Sequence, residues 1–165
     1  SNSWKNHNIF IVANSSLLWD TEQGKAIGYG NLIHEILSKI KTQNDINEVV
    51  NQYVFNGTIS KNEQKEIQTI LISVVNHPQL KAYFEQNNEV YNEQEIITAD
   101  KKSIILDRLV INNNKVTIID YKTGNPDKKY QQQLLKYATA LKSLNYIIEK
   151  KIVVYINTEI SIEEV

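Results

Sequence analysis

The period of the apolar positions changes near residue 89. Before that point Leu32, Ile33, Ile36, Leu37 and Ile40 recur at helical spacing. They predict a helix over roughly 29–41, after a loop punctuated by Gly24, Gly28 and Gly30. Further helices are expected over 45–55, with Asp45 as N-cap, and over 61–76, opened by the Ser60/Glu63 capping box. Pro78 stops the third helix and allows a short one over 79–86. Upstream, residues 9–13 read as a short extended piece.

Beyond residue 89 the pattern becomes β-branched and alternating. Strands are expected over 89–98, 103–111 and 115–121, followed by a long helix over 128–148 and a strand over 152–157. Asn112-Asn113-Asn114 joins the second and third strands, and because Asn tolerates positive φ this reads as a tight hairpin turn. The order of helices, a three-strand meander, a helix and a strand predicts an α/β domain around a small mixed sheet. No repeat or low-complexity tract divides the chain, so residues 1–165 are expected to form one domain.

Candidate chemistry lies where the third strand ends, in Ile118-Ile119-Asp120-Tyr121-Lys122-Thr123-Gly124. Residues two apart on a strand share a face, so Asp120 and Lys122 point together, away from Ile119 and Tyr121. If Asn113-Asn114 forms a two-residue turn, Asn112 pairs with Lys115 and Asp107 falls opposite Asp120, with Cβ atoms roughly 5 Å apart. A three-residue turn would set Asp120 opposite Leu106 and separate the pair. Two carboxylates so close repel unless a proton or a cation sits between them. A hard divalent cation, held by the carboxylates together with water and phosphate oxygens, suits such a pair. The bland alternative is an aspartate–lysine ion pair at a strand end, and the aligned second aspartate favours the functional reading over it.

Composition narrows the chemistry. The chain has no Cys, which removes disulfides, thiolate zinc sites, iron–sulfur clusters and cysteine nucleophiles. No apolar run approaches the roughly 18 residues of a membrane span, and the N-terminus lacks a signal-peptide pattern, so a cytoplasmic location is expected. There is no Met, and the chain reads as a fragment of a longer protein. The net charge of −1 is unevenly spread: residues 1–100 carry −5, residues 101–151 carry +7 and residues 152–165 carry −3. The basic excess coincides with the candidate chemistry and suits a polyanionic partner, although solvated helix faces would give the same count.

With these residues in view, the chain resembles the RecB-like nucleases of the PD-(D/E)XK superfamily over about residues 28–157. Gly30 and His34 look like the first helical block, and Glu93-Gln94-Glu95-Ile96 like the acidic strand motif. Leu106-Asp107-Arg108-Leu109 looks like the second acidic motif, and Asp120-Tyr121-Lys122-Thr123-Gly124 like the signature. Gln133-Leu134-Leu135-Lys136-Tyr137 looks like a Gln-x-x-x-Tyr helix. There are departures. Ile104 stands where the family often has Gly, no Arg accompanies Gly30, and the absence of Cys disfavours the iron–sulfur subgroups.

The resemblance implies a restriction-endonuclease-like α-β-β-β-α-β core with additional N-terminal helices. It implies His34, Asp107, Asp120 and the carbonyl of Tyr121 as ligands of Mg²⁺ or Mn²⁺. Lys122 would be the catalytic lysine, with Glu93, Gln133 and Tyr137 shaping the site. A slip from Glu93 to Glu95 would keep the same strand face. His7 and His77 are expected to play no part. The implied activity is hydrolysis of DNA phosphodiesters. An exonuclease is expected over an endonuclease, acting on single-stranded ends, with a helicase domain of the same or a partner chain, in double-strand-break repair. Two alternatives stay open: a silent nuclease-fold module that only grips DNA, and a stand-alone restriction-like or phage nuclease with the same chemistry.

Overall fold

The computed structural model describes residues 22–165, with side-chain surroundings from residue 28 onward; the extended piece expected over 9–13 lies outside it. Three helices come first: α1 (Glu22–Leu37), α2 (Ile46–Phe55) and α3 (Lys61–Val75). Then follow β1 (Glu89–Ile97), β2 (Ser103–Asn112), β3 (Lys115–Lys122), α4 (Lys128–Ser143), β4 (Ile147–Ile156) and β5 (Ile160–Glu164). The strands form one sheet in the order β1-β2-β3-β4-β5, parallel between β3 and β4 and antiparallel elsewhere. This is the expected α/β architecture with a mixed sheet, of restriction-endonuclease-like type.

Apolar residues cover both faces of the sheet, so the domain has three layers. One core joins Ile33, Ile36 and Leu37 of α1 with α2, α3 and the sheet residues Val110, Ile119, Tyr121, Ile152 and Val154. The other joins Leu134, Tyr137 and Leu141 of α4 with Leu106, Val116, Ile118, Val153 and Tyr155. Alternation along β3 sorts Ile119 and Tyr121 to the first core and Val116 and Ile118 to the second.

The hairpin turn is the two-residue one. Asn112 pairs with Lys115, and Asn113 and Asn114 take φ of 50° and 67°, the left-handed pair that a type I′ turn needs. The register runs from there to Arg108 opposite Ile119, which places Asp107 level with Asp120.

Several boundaries differ from the expectation. Helix α1 begins at Glu22 and runs through Gly24, Gly28 and Gly30, so those glycines punctuate no loop. At Gly30 the reason is contact: a Cβ there would lie 2.7 Å from Thr123 Oγ1. The same helix ends at Leu37 rather than near 41, and the carbonyls of Ile40 and Lys41 just beyond it accept hydrogen bonds from Arg108. Asp45 does not cap α2 with its side chain. Its carboxylate reaches back to the amides of Lys41 and Thr42, in a capping box with Thr42 around a short 3-10 turn. The Ser60/Glu63 box forms as expected. After Pro78 there is only a 3-10 turn, Lys81–Phe84. Helix α4 stops at Ser143, since Asn145 takes φ 69° and breaks it, and β4 starts at Ile147 rather than at 152. Strand β5, short and rich in Glu, was not anticipated.

Arg108 is fully buried and ties β2 to three other segments. It donates to the carbonyls of Ile40 at 2.7 Å, Lys41 at 2.9 Å and Tyr83 at 2.9 Å, and to Asn92 Oδ1 at 3.3 Å. Its guanidinium stacks 3.9 Å from the centre of the Phe84 ring. The only arginine of the chain is therefore unavailable to a polyanionic ligand.

Candidate active site

Asp107 and Arg108 are neighbours on β2, so their side chains leave on opposite faces of the sheet. Asp107 emerges where β2 and β3 part, past the last paired residues. One of its oxygens, Oδ2, accepts the amide of Tyr121 at 2.9 Å. The same oxygen lies 3.4 Å from His34 Nε2. Asp120, on β3, faces Asp107 carboxyl to carboxyl and is buried. Lys122 Nζ lies 3.2 Å from Asp120 Oδ2, an ion pair without the alignment of a hydrogen bond, and that buried oxygen has no other hydrogen-bond partner.

His34 arrives from α1. Its Nδ1 is 3.0 Å from the Gly30 carbonyl, so Nδ1 carries the proton and donates, and Nε2 is presented to Asp107. The imidazole edge meets the Tyr121 ring at 6.0 Å between centroids. Gly30 thus serves the site twice: its carbonyl orients His34, and its missing Cβ lets α1 close on Thr123, the residue after Lys122.

The electrostatics follow from this crowding. Burial alone would lower His34, but the Asp107 carboxylate outweighs it and the imidazole is pushed up to about 9. Burial is the largest single influence on Asp107 and would raise it, but the His34 charge and the hydrogen bonds from His34, Asp120 and the Tyr121 amide together outweigh it, and Asp107 is lowered to about 2. Asp120 is held well above the usual carboxylate range, first by burial and then by the Asp107 charge, which Lys122 only partly offsets. Lys122 is raised despite its burial, because Asp120 and Asp107 both favour the ammonium. The two carboxylates thus disfavour each other's charge, a clash that a proton or a cation between them would relieve.

Helix α4 closes the other side. Tyr137 is raised by burial and then by Asp120 and Asp107, which places its hydroxyl near both carboxylates, and Gln133, one turn earlier, hydrogen-bonds to it. The two candidates of the acidic strand motif are not equivalent. Glu93 takes φ 54°, which interrupts the alternation of β1, so a slip of two residues does not keep the face. The half-buried Glu93 lies beside Tyr53, together with Glu35. Glu95 is exposed and accepts from Ser103 Oγ across the strands. His77 Nδ1 accepts the Gln79 amide in a surface turn, and His7 lies outside the described residues.

The structure thus gathers His34, Asp107, Asp120, Lys122, Gln133 and Tyr137. Among the described residues no three His, Cys, Asp or Glu side chains form a ready-made cage for a metal ion. The donor chemistry nevertheless fits a hard cation: paired carboxylates, a buried oxygen free of hydrogen bonds, and a histidine whose other nitrogen is held by a carbonyl. Sequence reasoning missed the Arg108 clamp, although a lone Arg in an apolar strand was a usable signal. It also missed Tyr130, whose ring lies 4.8 Å from Lys122 Nζ.

A family model described as "Type II restriction endonuclease, HinfI" matches residues 2–160, nearly the whole chain. The protein belongs to that family of restriction endonucleases, which is of the PD-(D/E)XK nuclease type. Its members are DNA endonucleases that bind DNA and typically use a divalent metal, usually Mg²⁺. The match does not extend to the RecB-like helicase–nucleases, nor does it support the exonuclease preference, the single-strand preference or the helicase partner expected from sequence. No curated protein matches the chain. A solved structure titled "Crystal structure of SSO0001" is similar at 18% identity and a TM-score of 0.33, covering 79% of this chain and 65% of that one. The alignment therefore spans just under two thirds of that protein, and likeness at this level carries no argument. Among the described residues, no helix is long and apolar enough to cross a membrane.

Proposed function

We propose that this domain is an endonuclease that hydrolyses DNA phosphodiester bonds with Mg²⁺ or Mn²⁺, and that Asp107, Asp120 and Lys122 carry the reaction. The observation that supports it most is the meeting of Asp107 and Asp120 across the β2–β3 fork, with Asp120 Oδ2 buried and lacking a hydrogen bond. Asp107 and Asp120 would hold the cation, joined by His34 Nε2 and the Tyr121 carbonyl. When bound, the cation would polarise a phosphoryl oxygen and acidify water. Lys122 stays an ammonium and stabilises the charge that builds on the phosphate oxygens. Asp107 takes the Tyr121 amide and so keeps the end of β3 in place while it acts as a ligand. Tyr137, steadied by Gln133, borders the carboxylates from α4. Exposed Lys128, Lys129, Lys136 and Lys142 on α4 supply positive charge for the phosphate backbone.

The test uses covalently closed circular duplex DNA beside linear single-stranded DNA, each with Mg²⁺, Mn²⁺ or EDTA, and with Asp120→Ala and Lys122→Ala variants. Metal-dependent nicking or linearisation of the circle, lost in both variants, is the expected result. Degradation of linear single strands with the circle intact would restore the exonuclease reading. Metal-independent DNA binding without cleavage would favour the silent module.

A further inference from the structure

Lys122 ends a strand, keeps about a fifth of its side chain exposed, and has one carboxylate beside it, Asp120 at 3.2 Å. That carboxylate is also the group a cation would claim. Once Asp120 faces a divalent ion, its hold on the ammonium weakens and a four-carbon side chain is free to swing. The structure offers a second hold: the face of Tyr130, whose centroid is 4.8 Å from Lys122 Nζ. An aromatic face attracts an ammonium through its quadrupole, yet has no lone pair in that direction to compete for a hard cation.

The ring is itself fixed. Tyr130 stands in the first turn of α4, whose N-cap Asp127 accepts the Lys129 amide through its side chain and the Tyr130 amide through its carbonyl. It packs at 50° against Tyr155 of β4, with centroids 6.3 Å apart. The next residue, Gln131, donates to Glu163 of β5 and ties the same turn to the edge of the sheet. Lys129 Nζ also approaches the ring, at 5.3 Å, but its side chain is largely exposed and paired with Asp127.

We propose that Tyr130 is a positioning residue: its aromatic face holds the Lys122 ammonium at the scissile phosphate when Asp120 is engaged. This rests on the reading of Lys122 as catalytic given above. The hydroxyl plays no part, so Tyr130→Phe should keep the effect and Tyr130→Leu should lose it.

Two measurements test it. In the cleavage assay Tyr130→Leu should lower kcat roughly tenfold with KM for DNA little changed, and Tyr130→Phe should stay near wild type. By NMR on the metal-free protein, the Lys122 ε-methylene, assigned by its loss in Lys122→Arg, should be shifted upfield by the ring in wild type and Tyr130→Phe. In Tyr130→Leu the resonance should return toward the free-lysine position. A folded Tyr130→Leu protein with wild-type kcat would overturn the proposal, and so would a Phe variant as impaired as Leu. An ε-methylene that does not move would do the same. Failure of the underlying reading looks different: Lys122→Ala itself would then cleave at the wild-type rate.

Discussion

Asp107 and Arg108 sit side by side on one strand, and the sheet sends them to opposite fates. On the α1 side, Arg108 is entirely enclosed, and each terminal N–H group it uses meets an acceptor: three carbonyls and one side-chain amide. Across the sheet, two carboxylates are pressed together, a buried oxygen of Asp120 lacks a hydrogen bond, and the nearest ammonium is imperfectly aligned. Both regions enclose charge, so enclosure does not mark function. The difference is the company each charge keeps. A guanidinium whose two terminal nitrogens meet four neutral acceptors, with only Nε unmatched, contributes to the fold, whereas two carboxylates held face to face are a place for a cation to bind.

The sharpest way to break this comparison is Arg108→Met. Three carbonyls and Asn92 would lose their donor inside the core, which should cost about 3–5 kcal/mol in urea unfolding. A loss below about 1 kcal/mol would mean that the clamp is not the structural partner of the pair. The opposite sign is expected for Asp120→Asn in the metal-free protein, a gain of about 1–2 kcal/mol together with loss of cleavage. The pH dependence follows from the raised pKa of Asp120. The contribution of the protonated carboxyl is full below the usual carboxylate range and fades as pH rises through the raised value, so the advantage of Asn should grow from mildly acidic to neutral pH. Unfolding curves at two pH values check it, and an Asn variant less stable than wild type at both would count against an open, strained site.

Gly30→Ala should be felt mainly at the site. Overpacking against Thr123 and the better helix propensity of Ala offset each other to within about 1–2 kcal/mol, while cleavage falls because α1 carries His34. Combining it with Thr123→Ala, which removes the clashing Oγ1, should recover part of the activity; no recovery would place the defect elsewhere. The smallest effect is expected for Asn114→Gly. At φ 67° Gly is at ease, so stability should rise by about 0.5 kcal/mol with neither region disturbed. A change in cleavage there would show that the turn does more than set the register.

Much of the site could be read from the chain because it rests on short-range rules. Strand alternation sends Asp120 and Lys122 to one side, and the positive-φ tolerance of Asn113-Asn114 fixes a register that brings Asp107 level with Asp120. The tertiary contacts were harder to read. The need for a glycine at position 30 comes from Thr123, a partner set only by how α1 meets β3. Helix α1 was started too late because its glycines suggested a loop, where packing overrides their low propensity. Residues 144–148 continued the helical pattern until Asn145 turned the chain into β4. The expectation that Glu93 and Glu95 share a strand face failed for a local reason that spacing does not reveal, a left-handed residue within a strand. Family identity was legible at the level of the nuclease superfamily, but the branch was not. The short motifs describe catalytic chemistry, and restriction enzymes share it.

The acceptors of Arg108 bear on the order of assembly. They lie 16, 25, 67 and 68 residues away along the chain, so no local stretch can satisfy the guanidinium. Until the N-terminal helices have docked on the β1–β2 hairpin, burying that charge is unfavourable, and β2 stays free to solvate it. Asp107 is the next residue, so its approach to His34 waits on the same docking event. On the proposed reading, a newly made chain would complete its candidate centre only after that docking.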